Sequence, residues 1–148
     1  MSYQEKKNVV SLFSSILIFG SYCLYVFLRY DDANLEGTEL YRFWGAVILI
    51  LIPVSVVARI VIEIIFMIVN GIATKEKAPN FSDELDKLIE LKAIRVTFFV
   101  FILGFLIAMG TLVMREPVST MFIILFLAGF VSEVAGILWR LYLYRKGV

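Results

Sequence analysis

Long apolar stretches alternate with short polar ones along the whole chain, and that alternation predicts its elements. The stretches cover residues 9–28, 43–69, 96–114 and 118–138. A bilayer core ~30 Å thick needs about 20 helical residues at ~1.5 Å each. The first and third stretches carry no charge, the second contains Arg59 and Glu63, and the fourth contains Glu133. Four transmembrane helices follow, in an all-α, polytopic fold: an antiparallel four-helix transmembrane bundle in a single domain, residues 1–148. Lys6 and Lys7 give the first stretch a basic start, as in a cleaved signal peptide. Its apolar run exceeds the usual ~7–15 residues, however, and no A-x-A-like site follows, so a retained anchor is expected.

Between the second and third stretches, residues 70–80 hold the turn formers Gly71, Pro79 and Asn80. Residues 82–95 then read as an amphipathic helix. Ser82 is placed to cap it, Asp83 and Glu84 fall in its first turn, and Phe81, Leu85, Leu88 and Ile89 form an apolar stripe. This helix can run straight into the third span. Residues 115–117 form a tight turn, with Pro117 opening the fourth helix.

Projected at 100° per residue, each span gathers its small and polar residues on one stripe. The stripes are Ser11, Ser14, Ser15 and Tyr22 in the first span, and Ser55, Arg59, Glu63 and Asn70 in the second. The third contributes Thr97, Gly104, Ala108 and Thr111; the fourth contributes Gly129, Ser132, Glu133, Gly136 and Arg140. Lipid offers polar groups no partner, so such stripes turn toward other helices. Pro53 is expected to kink the second helix.

Charge then orients the bundle. One face of the membrane receives ten basic residues, from Lys6 and Lys7 through the 70–95 segment to Arg140, Arg145 and Lys146; the other receives Arg29, Arg42 and Arg115. Both termini are therefore expected in the cytoplasm, in a multi-pass protein of the cell inner (cytoplasmic) membrane. Tyr41 and Trp44 at one interface, and Trp139, Tyr142 and Tyr144 at the other, suit aromatic belts.

Counted from the outer edge, Arg59 and Glu133 both lie ~25 Å into a core ~30 Å thick, and Glu63 is about one turn deeper. Ser15 of the first helix reaches the same layer. Arg59, Glu63, Glu133, Ser55, Ser132 and Ser15 thus form a candidate intramembrane polar cluster near the cytoplasmic edge. An intramembrane carboxylate is by default a candidate for an ion or proton path. The shallow depth favours a pairing role instead, with Arg59 reaching the headgroups or a carboxylate. Arg before Glu at i,i+4 is the weaker helix pair, so Glu133, not Glu63, is the expected partner of Arg59.

Composition narrows the chemistry. Of 148 residues 61% are hydrophobic and 18% charged, against ~25% charged in soluble domains. A net charge of +1 gives no field for nucleic acid. With no histidine and the single Cys23, zinc sites and Cys/His catalysis fall away. No Asp lies in a span, and no phosphate-binding glycine loop is present. Asp31, Asp32, Glu36 and Glu39 match no EF-hand spacing and read as a solvated loop. No catalytic, cofactor or metal residue is expected, and the chain is not expected to be an enzyme.

The stretch DELDKLIELKAIR (83–95), running into the third span, resembles that of small four-span prokaryotic membrane proteins classed as a domain of unknown function. The resemblance implies a bacterial or archaeal cell-membrane protein and supplies no activity and no site residues. The function expected from the residues is that of a non-enzymatic, partner-binding or regulatory membrane protein. Asp83, Asp86 and Glu90 are its candidate partner surface. The partners are the lipid bilayer and either a second copy or another membrane or cytoplasmic protein. The alternative is a homo-oligomeric transporter or channel for a small solute or ion that uses Glu63 and Glu133.

Overall fold

A computed structural model describes residues 3–29, 37–74 and 84–146. These fold into α1 (Tyr3–Arg29), α2 (Thr38–Thr74), α3 (Glu84–Val113) and α4 (Val118–Lys146), packed as a bundle. All four are long and apolar enough to cross a membrane. At ~1.5 Å per residue they measure ~40–55 Å, longer than the ~30 Å apolar core, so their ends extend past it or the helices tilt. The outward surface is correspondingly apolar. Phe98, Phe99, Leu103 and Leu106 of α3 and Ile60, Ile64 and Ile68 of α2 are exposed. Water would not tolerate such a surface on a single chain; lipid requires it. The protein is a multi-pass membrane protein by helix length and hydropathy.

The segment before the third span is not a separate element, because α3 runs unbroken from Glu84. Ser82, Asp83 and the acidic residues Asp31, Asp32 and Glu36 lie outside the described residues. Likewise α2 continues through Pro53, where Ser55 Oγ donates to the Ile52 carbonyl at 2.9 Å.

α4 is the hub, touching all three other helices, whereas α3 packs on α4 alone. The reason lies in two faces of α4. One carries Ala128, Ser132 and Gly136 at four-residue spacing. Opposite stand Ala93, Thr97, Gly104 and Ala108 of α3, and the backbones close to a distance only small residues permit. A Cβ added at Gly104 would collide with the Ala128 Cβ, and one added at Gly136 with Thr97 Oγ1. The same pairing extends to the helix ends, where Tyr144 reaches Asp86. At the other end the α3–α4 turn closes α3 with the Glu116 N–H on the Thr111 carbonyl at 3.0 Å and the Arg115 N–H on the Leu112 carbonyl at 3.2 Å. Arg115 takes φ +62° to do so, a left-handed cap position usually held by glycine.

The second face of α4 meets α1 and α2 through aromatics. Phe19 stacks on Phe130 at 4.0 Å and on Phe126 at 4.8 Å, and Trp44 stacks on Phe122 at 6.1 Å. Tyr22, Val26, Trp44, Val47 and Phe126 form the buried core. A backbone tie across helices within it is made by the Tyr22 hydroxyl, which donates to the Val47 carbonyl at 2.6 Å. Trp44 is only 5% exposed, so it serves this core and not the interfacial belt expected for it; Tyr41, three residues earlier, faces outward. The core fills the end of the bundle that holds the α3–α4 turn. Both termini lie at the other end.

Gly104 and Gly110 separate packing from helix propensity. Gly104→Ala is expected to destabilise the protein by ~1–3 kcal/mol through overpacking against Ala128. Gly110 has open space around its Cβ position. Gly110→Ala should leave stability unchanged or raise it by up to ~1 kcal/mol. Unfolding in mixed micelles measures both.

Candidate functional site

Toward the terminus-bearing end the aromatic core gives way to a polar centre. Arg59 Nη2 of α2 forms an ion pair with Glu133 Oε1 of α4, and the Ser15 hydroxyl of α1 donates to that same oxygen. One carboxylate thus joins three helices. Its side chain is 27% exposed and that of Arg59 is 46% exposed. Two charge-assisted bonds on one oxygen are stronger than neutral ones, and surroundings that exclude water strengthen them further.

Glu63 does not join this centre. It pairs with Lys7 of α1 at 3.2 Å, and both side chains are largely exposed. Ser55 lines the same cavity as the pair but bonds its own helix at Ile52. Ser132 is buried and donates to the Gly129 carbonyl at 2.8 Å, on the face of α4 that meets α3. Of the six residues of the polar cluster, the structure brings Ser15, Arg59 and Glu133 into direct contact.

Three cavities line up along this axis. The first, about 200 Å³, lies between α1, α2 and α4, with Phe19 and Phe130 on one side and Ser15, Ser55, Arg59 and Glu133 on the other. A second, about 90 Å³, begins at Arg59 and is walled by Lys7, Ser11, Ser14, Glu63 and Arg140. Lys7 and Arg140 are shared with a third, about 200 Å³, which also holds Gln4, Asn8, Asp86 and Glu90.

At this end Asp86 is a structural acceptor. Tyr144 donates to Asp86 Oδ1 at 2.8 Å and Gln4 Nε2 to Asp86 Oδ2 at 3.2 Å, so the first turns of α3 are tied to both terminal helices. Tyr144 stands beyond the apolar stretch of α4. Burial and then the hydrogen bond to Asp86 push its hydroxyl well above the ordinary tyrosine range, which keeps it a donor. Glu90 is exposed at the rim of the third cavity, and Asp83 lies outside the described residues. Among the described residues no cluster of His, Cys, Asp and Glu has metal-binding geometry.

Sequence reasoning left Lys7, Gln4, Tyr144 and Arg140 out of the site. Arg140 was the findable one, seven residues after Glu133 and on its stripe. Lys7 lies four residues before Ser11 and seven before Ser14, a spacing that continues the serine face of α1. Gln4 and Tyr144 gave no signal, because their partner lies on another helix.

Comparison with protein-family models, with curated proteins and with solved structures finds no match. No family is thereby identified, and what the structure supports of the resemblance is four helices long and apolar enough to span a membrane.

The shared carboxylate predicts coupling. Arg59→Gln and Glu133→Gln should each destabilise the protein by leaving a partly buried charge unpaired. In the charge swap Arg59→Glu with Glu133→Arg, part of that loss should return, and a double-mutant cycle should give a coupling energy of ~0.5–3 kcal/mol. The same cycle on Lys7 and Glu63, an exposed pair, should give less than ~1 kcal/mol.

Proposed function

We propose that the chain is a protein of the cytoplasmic membrane with both termini in the cytoplasm, acting without catalysis by holding a protein partner at the membrane surface. The orientation rests on the excess of basic residues at the terminus-bearing end. The partner reading rests on one observation: α3 is anchored on one side and bare on the other before its apolar stretch begins. Ile89 and Ala93 are fully buried and Asp86 is tied to α1 and α4. Diametrically opposite, Leu88 and Leu91 are 43% and 65% exposed, with Lys87 and Arg95 beside them. A rigid helix showing leucines among charges, at a level where headgroups and water replace lipid tails, is a surface for a protein. This shifts the contact from the acids Asp83, Asp86 and Glu90 to the leucine face.

The cavities that meet at Arg59 favour a second reading, a transporter. Against it, Glu133 and Glu63 are each already matched by a cation. A transported cation would have to displace that partner.

A photocrosslinking side chain at position 88 or 91, in native membranes, should give a discrete protein adduct that one at lipid-facing position 99 does not. Leu88→Glu should abolish the adduct formed at 91 while membrane insertion is retained. An adduct with a second copy identifies a homodimer; no adduct at either position overturns the reading. Purified protein in liposomes tests the alternative, which requires a proton or cation flux that Glu133→Gln removes.

A further inference from the structure

The second cavity has a composition that pairing among helices does not explain. Lys7, Arg59 and Arg140 converge on a space of about 90 Å³ in which Glu63 is the only acid. Arg59 is held from behind by Glu133, and Lys7 by Glu63. Arg140 has neither support: its Nε is buried without a hydrogen-bond partner, and it makes no ion pair among the described residues. An arginine at the wall of a cleft with no anionic partner among the described residues points to an anion that completes it. We propose that this cleft between α1, α2 and α4 binds a phosphate group, that of an anionic phospholipid.

The chemistry fits a phosphate for three reasons. An arginine fork and an ammonium group are the side chains that hold phosphate oxygens, the first by paired bonds and the second as a point charge. Ser11 brings a hydroxyl to the same wall, beside Ser14, whose own hydroxyl donates to the Val10 carbonyl at 2.7 Å. In addition, the Lys7–Glu63 bond is between half-exposed side chains and is correspondingly weak, so Lys7 can turn to a better acceptor while Glu63 stays in water.

The source follows from the neighbours. Toward the terminus-bearing end the next cavity is bordered by Asp86 and Glu90, which repel an anion entering along the bundle axis. Toward the aromatic core, Phe19 and Phe130 close the way. Lys7 of α1 and Arg59 and Glu63 of α2, all roughly half-exposed, mark an opening sideways between α1 and α2. A group that enters from the side, at the end of an apolar stretch, arrives with its tails in lipid. Basic pockets between transmembrane helices hold anionic headgroups in this way. The inference is independent of the partner proposed above and of the orientation of the chain.

Native mass spectrometry of the purified protein tests it, with phosphatidylglycerol, phosphatidylcholine or inorganic phosphate added. The wild-type protein should retain phosphatidylglycerol at least tenfold more than phosphatidylcholine. Arg140→Gln and, separately, Lys7→Gln should each reduce that retention at least fivefold, whereas Arg42→Gln, which removes an equal charge at the opposite end of the bundle, should not. If inorganic phosphate displaces the lipid at millimolar concentration, the phosphate chemistry stands and a free solute is its source. Equal retention of the two lipids by the wild-type protein overturns the proposal without recourse to any variant. So does an equal loss in Arg42→Gln, which would mean that net charge alone attracts the lipid.

Discussion

The carboxylate of Glu133 is the point on which the three-helix half of this bundle depends. Lipid cannot hydrogen-bond a charge, so a carboxylate within the apolar layer must be satisfied by protein or reach for water. Glu133 is satisfied twice, by Arg59 from α2 and Ser15 from α1. Neither helix packs on α4 closely enough to make the geometry unique by shape alone. Between apolar helices in lipid no hydrophobic force selects a register; packing and polar bonds must do it. One oxygen receiving donors from two helices fixes the depth of both relative to α4.

The other half of the bundle uses the opposite device. Between α3 and α4 hardly anything polar crosses within the apolar layer. Register comes from shape, with Gly104 against Ala128 and Gly136 against Thr97. Close backbones gain dispersion contacts over their whole length, which lipid tails cannot match against small residues. α4 therefore reads as two helices in one. Its stripe Gly129, Ser132, Glu133, Gly136 and Arg140 splits: Ser132 and Gly136 serve α3, while Gly129, Glu133 and Arg140 border the cavities toward α1 and α2.

That split is also where the sequence stops being legible. The four apolar stretches, the all-α class and the sharing of small and polar residues among inward faces follow from periodicity, because lipid sorts residues by face without regard to neighbours. Helix adjacency does not follow, because one stripe wide enough for two neighbours looks the same as a stripe for one. Hence Ser132, placed with Glu133 by spacing, lies on the α3 side. Trp44 shows a second limit. An aromatic near a helix entrance satisfies both an interfacial belt and an aromatic core, and only the ring of Phe122 across the gap decides between them. The acids of α3 show a third. Asp86 reads as a solvated charge until Gln4 and Tyr144, distant in sequence, arrive beside it.

α2 buries three residues along its 37, no more than the shorter α3, and this gives its polar contacts a weight their number does not suggest. Trp44, Val47 and Asn70 are its buried side chains among the described residues; most others face outward. Its ties to the rest include the Tyr22 bond near one end, the Arg59–Glu133 pair, and the Lys7–Glu63 pair near the other. Regions with few buried apolar contacts open at lower free energy than the core. The α3–α4 hairpin, closed by shape, is by that criterion the stiff unit, and α2 is the helix held by a few point contacts. All three cavities of the polar axis border α1, and two border α2. A ligand bound between α1 and α2 would thus stiffen the part of the fold that has the most order left to gain.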